Sequence, residues 1–204
     1  MKGKFITFEG SEGCGKSTQS RLLYAYLKAK GKAVIYLREP GATEISEKIR
    51  DILLDAGNQG IVPEAEMLLY MAARAQIVSE VILPALKKGK IVICDRFLDS
   101  TLAYQGYGLG MDIGLIRKVG EFTTRRICPD LTLFLDLAVK RGLKHRKDCL
   151  DRIEMRSVNY HLRVRRGYLK LARQEPARIK VVKVEKDKYK TQGKIRELVE
   201  KYVF

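Results

Sequence analysis

A segment near the start of the sequence has the residue types and spacing of a phosphate-binding loop. Residues 10–17 read G-S-E-G-C-G-K-S and match G-x-x-x-x-G-K-[ST]. The glycines allow successive backbone N–H groups to face a phosphate, and a helix beginning near Lys16 adds the positive end of its dipole. Lys16 is expected to reach the β- and γ-phosphates of a nucleoside triphosphate, and Ser17 to ligate Mg²⁺. The residues predicted to bind the triphosphate are Gly10, Ser11, Glu12, Gly13, Cys14, Gly15, Lys16, Ser17 and Thr18.

Two charged segments follow apolar runs that read as strands. Asp95-Arg96-Phe97 ends the run Ile91–Asp95, and Arg38-Glu39-Pro40-Gly41 ends the run Ala33–Arg38. An aspartate at such a position can hold Mg²⁺-bound water, and an arginine can bind a phosphoryl group through two hydrogen bonds. A strand-capping ion pair and a Pro-Gly turn are the structural alternatives for these two segments.

Strands and helices alternate along the chain in a way that would position these residues. The predicted strands are Lys4–Glu9, Ala33–Arg38, Ile91–Asp95, Leu131–Asp136 and Ile179–Val184. The predicted helices include Ser17–Lys30, Glu44–Leu54, Glu64–Lys88, Gly114–Thr124 and Glu154–Gln174. This order predicts an α/β fold of three layers, with a central five-stranded parallel sheet flanked by helices. Ligands bind such sheets outside the carboxyl ends of the strands.

Length and charge restrict the classes of function. The 204 residues suit one domain, residues 1–204, and 46% hydrophobic residues are enough for a core. The formal net charge of +16 predicts an anionic partner, which can be a nucleic acid, a membrane surface or a phosphorylated small molecule. Residues 140–204 hold 21 basic and 8 acidic side chains, so most of the excess lies in the last third of the chain.

The cysteine pattern and the hydropathy point to a soluble, cytoplasmic protein. Cys14, Cys94, Cys128 and Cys149 form no C-x-x-C pair, and only two histidines are present, so no zinc site is predicted. Unpaired thiols fit a reducing cytosol. No uninterrupted apolar run approaches the roughly 20 residues that span a bilayer, and the amino terminus is too weakly apolar for a signal peptide.

Several classes of protein share the phosphate loop. A GTPase should contain N-K-x-D, but neither Asn58 nor Asn159 is followed by lysine. A nucleic-acid-binding ATPase would account for the net charge, although such proteins are usually larger. A deoxynucleoside kinase also combines the loop with an acid–arginine strand end, and Glu39 could serve as its base toward a 5′-hydroxyl.

Motifs in order over nearly the whole chain resemble the thymidylate kinase family. They are F-E-G-S-E-G-C-G-K-S-T-Q, R-E-P-G-A-T, A-A-R-A-Q, D-R-F-x-x-S-T-x-A-Y-Q-G, P-D-L-T-L-F-L-D and L-D-R-I-E. Ala42 stands where the family has the second glycine of R-E-P-G-G-T. The resemblance implies a P-loop kinase fold, a homodimer without a specific nucleic-acid or membrane partner, and Mg²⁺-assisted transfer from ATP to dTMP, giving dTDP on the route to dTTP.

The same resemblance implies roles for individual side chains. Glu12 matches the acid that faces the sugar 3′-hydroxyl, Arg74 the arginine on the thymine carbonyl, and Tyr70 the aromatic residue that stacks on the base. Arg96 matches the arginine on the dTMP phosphate and Asp95 the acid beside Mg²⁺, which Ser17 also holds. Tyr104 matches the ring that excludes a ribose 2′-hydroxyl. The residues implied to bind substrate are Glu12, Arg38, Pro40, Arg50, Tyr70, Arg74, Arg96, Ser100, Thr101, Tyr104 and Gln105.

A basic segment after the fourth predicted strand is where the family has a mobile lid, here at about residues 141–154. Residues 140–166 carry ten bases and three acids. Since the phosphate loop lacks the arginine that some members place there, the lid is expected to supply it through Arg146 or Arg152, with Lys147 as a substitute. The implied catalytic residues are Lys16, Asp95, Arg96, Arg146 and Arg152. V-E-K-D-K-Y after the last strand leaves adenine recognition unassigned, and residues 178–194 are expected to be a solvated basic face.

Overall fold

The computed structural model describes residues 3–144 and 151–204. Five parallel strands form its central sheet in the order β2-β3-β1-β4-β5. The strands are Lys4–Glu9 (β1), Val34–Arg38 (β2), Ile91–Asp95 (β3), Leu131–Asp136 (β4) and Ile179–Lys183 (β5). This confirms the predicted five-stranded parallel sheet, with one-residue differences at the ends of β2 and β5.

The strand register brings the charged strand ends together. Phe8 of β1 lies opposite Asp95 of β3, and Asp95 also lies opposite Arg38 of β2. The residues that follow β1, β2 and β3 therefore meet at one edge of the sheet. The three central strands are almost entirely buried because helices cover both faces, as expected for a parallel sheet.

The described residues contain nine α-helices. They are Lys16–Ala29 (α1), Glu44–Leu54 (α2), Pro63–Ile77 (α3), Leu83–Lys87 (α4), Leu98–Thr101 (α5), Ile113–Thr123 (α6), Val139–Leu143 (α7), Val158–Gln174 (α8) and Lys188–Tyr202 (α9). One face of the sheet packs on α1 and α9, and the other packs on α3, α8 and the segment after α5. Helices therefore occupy both outer layers, as predicted.

Three helical segments differ from the sequence-based prediction. The helix predicted over Glu64–Lys88 is interrupted by a π-helical turn at Val78–Ile82, because Pro84 in the first turn of α4 has no N–H to donate to the preceding turn. A second π-helical segment, Leu102–Gly108, continues α5. The helix predicted from Glu154 begins instead at Val158, where the Ser157 side chain accepts a hydrogen bond from the Tyr160 N–H and caps it.

The helical stretch Pro63–Lys87 passes a length and composition test for crossing a membrane, and in the described ranges it alone does so. Polar Glu66 and Arg74 interrupt it, and both are buried against protein partners. Its apolar residues, such as Met71 and Ile77, are buried in the core. Core helices of globular proteins pass the same test, so the finding is weak support for a membrane span.

The turn between β2 and α2 contains an alanine in a conformation that favours glycine. Ala42 has φ 67°, and its N–H donates to Glu47 Oε1 at 2.7 Å. A left-handed conformation costs a residue with a Cβ about 1–2 kcal/mol. The turn thus keeps the geometry that glycine would adopt without strain.

Replacing this alanine should stabilise the protein. We predict that Ala42→Gly raises the free energy of unfolding by about 0.5–1 kcal/mol, because relief of the left-handed strain exceeds the entropy gained by the unfolded chain. Urea unfolding measures the change. The matched control is Ala25→Gly at an exposed position within α1, which should lose about 1 kcal/mol. A loss of stability at both positions would contradict the strain at Ala42.

Candidate active site

A cavity of about 600 Å³ opens at the carboxyl edge of the sheet. It lies where the loops after β1, β2 and β3 converge, which is where parallel sheets bind ligands. Its lining residues are Glu12, Gly13, Gly15, Lys16, Ser17, Thr18, Arg38, Glu39, Pro40, Arg50, Leu54, Tyr70, Asp95, Arg96, Ser100, Thr101, Tyr104, Gln105, Asp151, Ile153 and Glu154. Most of the residues predicted to bind substrate or triphosphate therefore surround one space. Gly10, Ser11, Cys14 and Arg74 lie outside this lining.

The phosphate loop has a backbone suited to a polyanion. Gly13 and Gly15 adopt left-handed φ values of 68° and 89°. No side chain caps the first turn of α1, so its N–H groups can serve an anion. Lys16 is 7% exposed, and its Nζ donates to the Ser11 carbonyl at 3.0 Å across the loop. These features bring a cation and a helix N-terminus to the same point.

The base of the predicted lid is packed directly on the phosphate loop. A Cβ on Gly13 would collide with the backbone of Gly142 in α7, and a Cβ on Gly142 would collide with the carbonyl of Glu12. The two backbones can approach this closely only because both residues are glycines. Any movement of α7 therefore changes its contact with the phosphate loop.

Ser17 and Asp95 form the pair that fits a divalent cation. The Ser17 hydroxyl donates to Asp95 Oδ2 at 2.5 Å, so two hard oxygen donors lie side by side next to the phosphate loop. Mg²⁺ binds through one or two protein oxygens while keeping waters and substrate phosphates as further ligands. The described residues contain no group of three or more His, Cys, Asp or Glu that could hold a metal without such help.

Arg96 is a second cation that contacts the phosphate loop, where its Nη1 donates to the Gly10 carbonyl at 3.2 Å. Its φ of 74° turns the backbone sharply after β3, and its Nη2 lies 2.6 Å from Glu12 Oε1 and donates to Tyr104 Oη at 3.0 Å. Burial raises the pKa of Glu12, but Arg96, Lys16 and the Tyr104 hydroxyl outweigh it and lower the pKa to about 2. The pair is thus charged over the physiological pH range.

A buried carboxylate behind Arg96 fixes the turn. Glu9 is fully buried, and its two oxygens accept hydrogen bonds from the Phe97 N–H at 2.7 Å, the Ser100 hydroxyl at 2.6 Å and the Tyr168 hydroxyl at 2.8 Å. Burial and the nearby Asp99 charge raise the pKa of Glu9 to about 7. Because Arg96 also donates to Ser100 Oγ at 3.2 Å, Glu9 holds the arginine through a shared hydroxyl.

Arg74 lies beneath the cavity in a buried ion pair. Its Nε donates to Glu39 Oε2 at 2.8 Å, its Nη1 to Thr101 Oγ1 at 3.0 Å and its Nη2 to the Phe97 carbonyl at 3.0 Å. Glu39 Oε1 is buried without a hydrogen-bond partner, and burial raises the pKa of this carboxyl to about 7 although Arg74 opposes the rise. The predicted contact of Arg74 with a thymine carbonyl therefore stays a prediction.

Tyr70, Thr101, Tyr104 and Gln105 line the inner part of the cavity together. Tyr104 is 5% exposed and donates to Glu12 Oε1 at 2.7 Å, which ties the ring to the phosphate loop. The Gln105 amide donates to Glu66 Oε1 at 2.8 Å. Two aromatic rings, two hydrogen-bonding side chains and the Glu12 carboxylate thus surround a space suited to a planar base and a sugar.

Toward the outer part of the cavity, Arg38 and Arg50 both donate to the Pro40 carbonyl. Arg38 also pairs with Glu47 at 3.0 Å. Burial and the neighbouring Arg38 charge lower the pKa of Arg50, whose guanidinium lines the cavity. An anionic ligand in the cavity would offset the repulsion between the charges of Arg38 and Arg50.

The lid residues divide into those inside and those outside the described ranges. Arg146 and Lys147 lie outside them. Arg152 is 3% exposed, and its Nη2 lies 2.6 Å from Glu66 Oε2 while its Nε donates to the Leu53 carbonyl. Its guanidinium does not line the cavity, since a buried carboxylate binds it, and the predicted contact with a transferring phosphoryl group stays untested.

Sequence reasoning missed several residues of the site. Asp151, Ile153 and Glu154 line the cavity beside the predicted Arg152. Glu9 and Glu66 are buried beneath the cavity and support lining residues. For Glu9 a signal existed, since a charged residue at the end of an apolar strand and directly before the loop needs a partner. For Glu66, in the first turn of α3, no local signal separates a buried acid from a solvated one.

Comparisons with known proteins agree with this geometry. The family model described as Thymidylate kinase matches residues 8–195. A thymidylate kinase of Thermoanaerobacter sp. (strain X514) is 46% identical over 204 residues, covering 100% of both chains. One from Kosmotoga olearia is 50% identical over 182 residues, covering 87% of this chain and 86% of the relative. The crystal structure of thymidylate kinase from Ehrlichia chaffeensis superposes with a TM-score of 0.80 at 34% identity, covering 98% of this chain and 99% of the other.

The buried Glu9 should make stability depend on pH. Because its folded pKa of about 7 exceeds the ordinary value of 4.5, the folded state binds the proton more tightly. The stability that this gives is complete in acid and is lost as the pH rises through about 7. We predict that the free energy of unfolding of the unsubstituted protein falls by about 1–3 kcal/mol between about pH 5 and about pH 8 because of Glu9. In Glu9→Gln this decrease should be absent. Parallel pH profiles measured by urea unfolding would contradict it.

Proposed function

Since this chain belongs to the thymidylate kinase family, we propose that it transfers the γ-phosphoryl group of ATP to the 5′-phosphate of dTMP, giving ADP and dTDP. The observation that carries this function is the placement of Arg96 in the cavity lining next to the phosphate loop, where Glu12 holds its guanidinium at 2.6 Å. The site thus offers one cationic cradle for a triphosphate and a second cation for an acceptor phosphate. Family membership favours dTMP as that acceptor.

The two cationic centres account for transfer between two anions. Lys16 and the N-terminus of α1 neutralise the donor phosphates, and the guanidinium of Arg96 binds the acceptor phosphate through two hydrogen bonds. Phosphoryl transfer depends mainly on positioning and on charge neutralisation. On binding, the acceptor phosphate competes with Glu12 for Arg96, which frees the Glu12 carboxylate to accept a sugar hydroxyl.

Ser17 and Asp95 are the residues that would hold Mg²⁺. When bound there with ATP, the ion would offset negative charge on the donor phosphates. Asp95 would hold it through water, as its short hydrogen bond with Ser17 keeps the carboxylate beside the loop. Lys16 and Asp95 line the same cavity, so the Asp95 carboxylate is the anionic oxygen ligand available next to the lysine.

The inner part of the cavity suits a deoxynucleoside. Hydrogen bonds with Glu12 and Arg96 fix the ring of Tyr104 in the cavity wall, which supports its proposed role of excluding a ribose 2′-hydroxyl. Tyr70 offers its ring face to the base. A nucleoside acceptor would need a free base for its 5′-hydroxyl, but Glu39, the candidate for that role, is paired with Arg74. The geometry therefore favours a monophosphate acceptor over a nucleoside.

The proposal extends to organisation and compartment. We propose that residues 1–204 act as one domain with a lid over about 141–154, and that the protein works in the cytoplasm. Cys14, Cys94 and Cys128 are free thiols, which suits a reducing compartment.

We also propose that the protein is a homodimer formed through α2, α3 and α6. These neighbouring helices expose apolar side chains: Ile45, Ile52, Leu68 and Leu115 are about half exposed and Phe122 is 83% exposed. Ile45 and Ile52 lie seven residues apart, as do Leu115 and Phe122, so each pair shares one helix face. An apolar surface that extends over three adjacent helices fits a second copy of the same face.

A coupled ADP-release assay tests the proposed activity. With Mg²⁺ and ATP, dTMP should give the fastest turnover among dTMP, dUMP, thymidine, AMP, CMP and single-stranded DNA. Lys16→Ala should lower turnover by at least about 10²-fold without loss of folding, because it removes the donor-phosphate cation. Lys28→Ala on the exposed face of the same helix is the control and should turn over normally. Faster turnover with thymidine or stimulation by DNA would refute the proposal.

The dimer is tested by light scattering after size-exclusion chromatography. The unsubstituted protein should elute at twice the chain mass of 23.2 kDa, and Phe122→Glu should elute as a folded monomer because it places a charge within the apolar contact. Phe204→Glu changes a residue that is 53% exposed outside this face and should remain dimeric. A dimer that survives Phe122→Glu would show that another surface is used.

A further inference from the structure

Glu66 is a buried acid to which the proposed reaction assigns no role. It is fully buried in α3, and its Oε1 accepts the Gln105 amide at 2.8 Å. Its Oε2 lies 2.6 Å from the guanidinium groups of both Arg152 and Arg156. Two arginines offset the cost of burying this charge. Arg152 belongs to the predicted lid and Arg156 follows it, while Gln105 lines the cavity.

Two cross-helix contacts frame the inner cavity. Glu66, Tyr70 and Arg74 recur every four residues on α3, so they lie along one side of that helix. Arg74 donates to Thr101, and Glu66 accepts from Gln105, four residues further along the opposite helical segment. Tyr70, the predicted stacking residue, lies between these two contacts. Gln105 is therefore placed at the level of a base that stacks on Tyr70.

The partner of Gln105 decides which end of its amide faces the ligand. A carboxylate held by two guanidinium groups offers only acceptor oxygens, whereas an amide has one donor end and one acceptor end. Glu66 must therefore take the Nε2 end of Gln105. This leaves the carbonyl Oε1 as the group that Gln105 presents to the cavity it lines.

We propose that Glu66 is a positioning residue that sets base specificity, by fixing the Gln105 amide so that its carbonyl oxygen faces the base. This inference rests on the proposed function. Thymine carries an N–H at ring position N3, which such a carbonyl accepts, whereas cytosine carries an unprotonated acceptor nitrogen there. Two opposed acceptors repel and leave a buried polar group without a partner, so a cytosine base is rejected.

Arg152 and Arg156 hold the carboxylate in place. Arg156 also donates to the Tyr160 hydroxyl at 2.8 Å and lies over its ring, while Arg152 donates to the Leu53 carbonyl at 3.0 Å. Each arginine is thus anchored at a second point. The position of Glu66 therefore depends on long-range packing, and not on its own helix alone.

The test is the ratio of kcat/KM for dTMP to that for dCMP. In Glu66→Gln an amide faces an amide, either end of Gln105 can turn to the cavity, and the ratio should fall by at least about tenfold. Glu66→Asp keeps an acceptor-only partner and should retain the ratio to within about threefold even if both rates fall. The ratio of dTMP to dUMP should not change in either variant, because uracil carries the same N–H.

Arg156→Gln is the matched control, since it disturbs the same cluster while Arg152 still holds Glu66 in place for its hydrogen bond with Gln105. It should lower stability without changing the dTMP to dCMP ratio. An unchanged ratio in Glu66→Gln would show that Glu66 is only a structural anchor and would overturn the inference. If Glu66→Gln does not fold, Gln105→Leu provides the test. It removes the carbonyl, so the ratio of dTMP to dCMP must fall, and an unchanged ratio refutes the inference. If the unsubstituted protein does not phosphorylate dTMP at all, it is the proposed function that fails.

Discussion

The arrangement of the site depends on how Arg96 is held at the carboxyl edge of the sheet. Its left-handed backbone costs about 1–2 kcal/mol. It persists because the Arg96 N–H donates to the Phe8 carbonyl at 2.9 Å and the next N–H donates to Glu9 at 2.7 Å. The turn brings the guanidinium back over the sheet toward Glu12. Without it, the side chain after β3 would not point at the phosphate loop.

Acids that are buried or partly buried and paired with arginines recur in this molecule. Glu12 pairs with Arg96, Glu39 with Arg74, and Glu66 with Arg152 and Arg156, while Asp99 pairs with Arg178 at 2.6 Å. Breaking such a pair leaves an uncompensated buried charge, so these contacts define one arrangement of side chains rather than add much net stability. They also explain part of the basic excess after residue 139, because several of its arginines neutralise acids from earlier in the chain. The expected anions are thus partly the protein's own carboxylates.

The parts that sequence predicted well are those governed by local spacing. The phosphate loop, the strand ends at Arg38 and Asp95, and the parallel order of strands follow from short patterns in the chain. The partners of Glu66 lie 39 to 90 residues away, so only packing could reveal them. For the same reason, the sequence does not show that the guanidinium of Arg152, within the predicted lid, binds a buried carboxylate. The π-helical turns also escaped prediction, since helical periodicity does not distinguish them from α-helix.

The central claim is that Arg96 recognises the 5′-phosphate of the acceptor, and dissociation constants test it most directly. Calorimetry with dTMP and with thymidine should show that the protein binds dTMP more tightly. In Arg96→Lys, which keeps the charge but loses the two-point geometry, that advantage should shrink by at least about tenfold while thymidine binding changes little. If Arg96→Lys keeps the full advantage for dTMP, another residue binds the acceptor phosphate and the account is wrong.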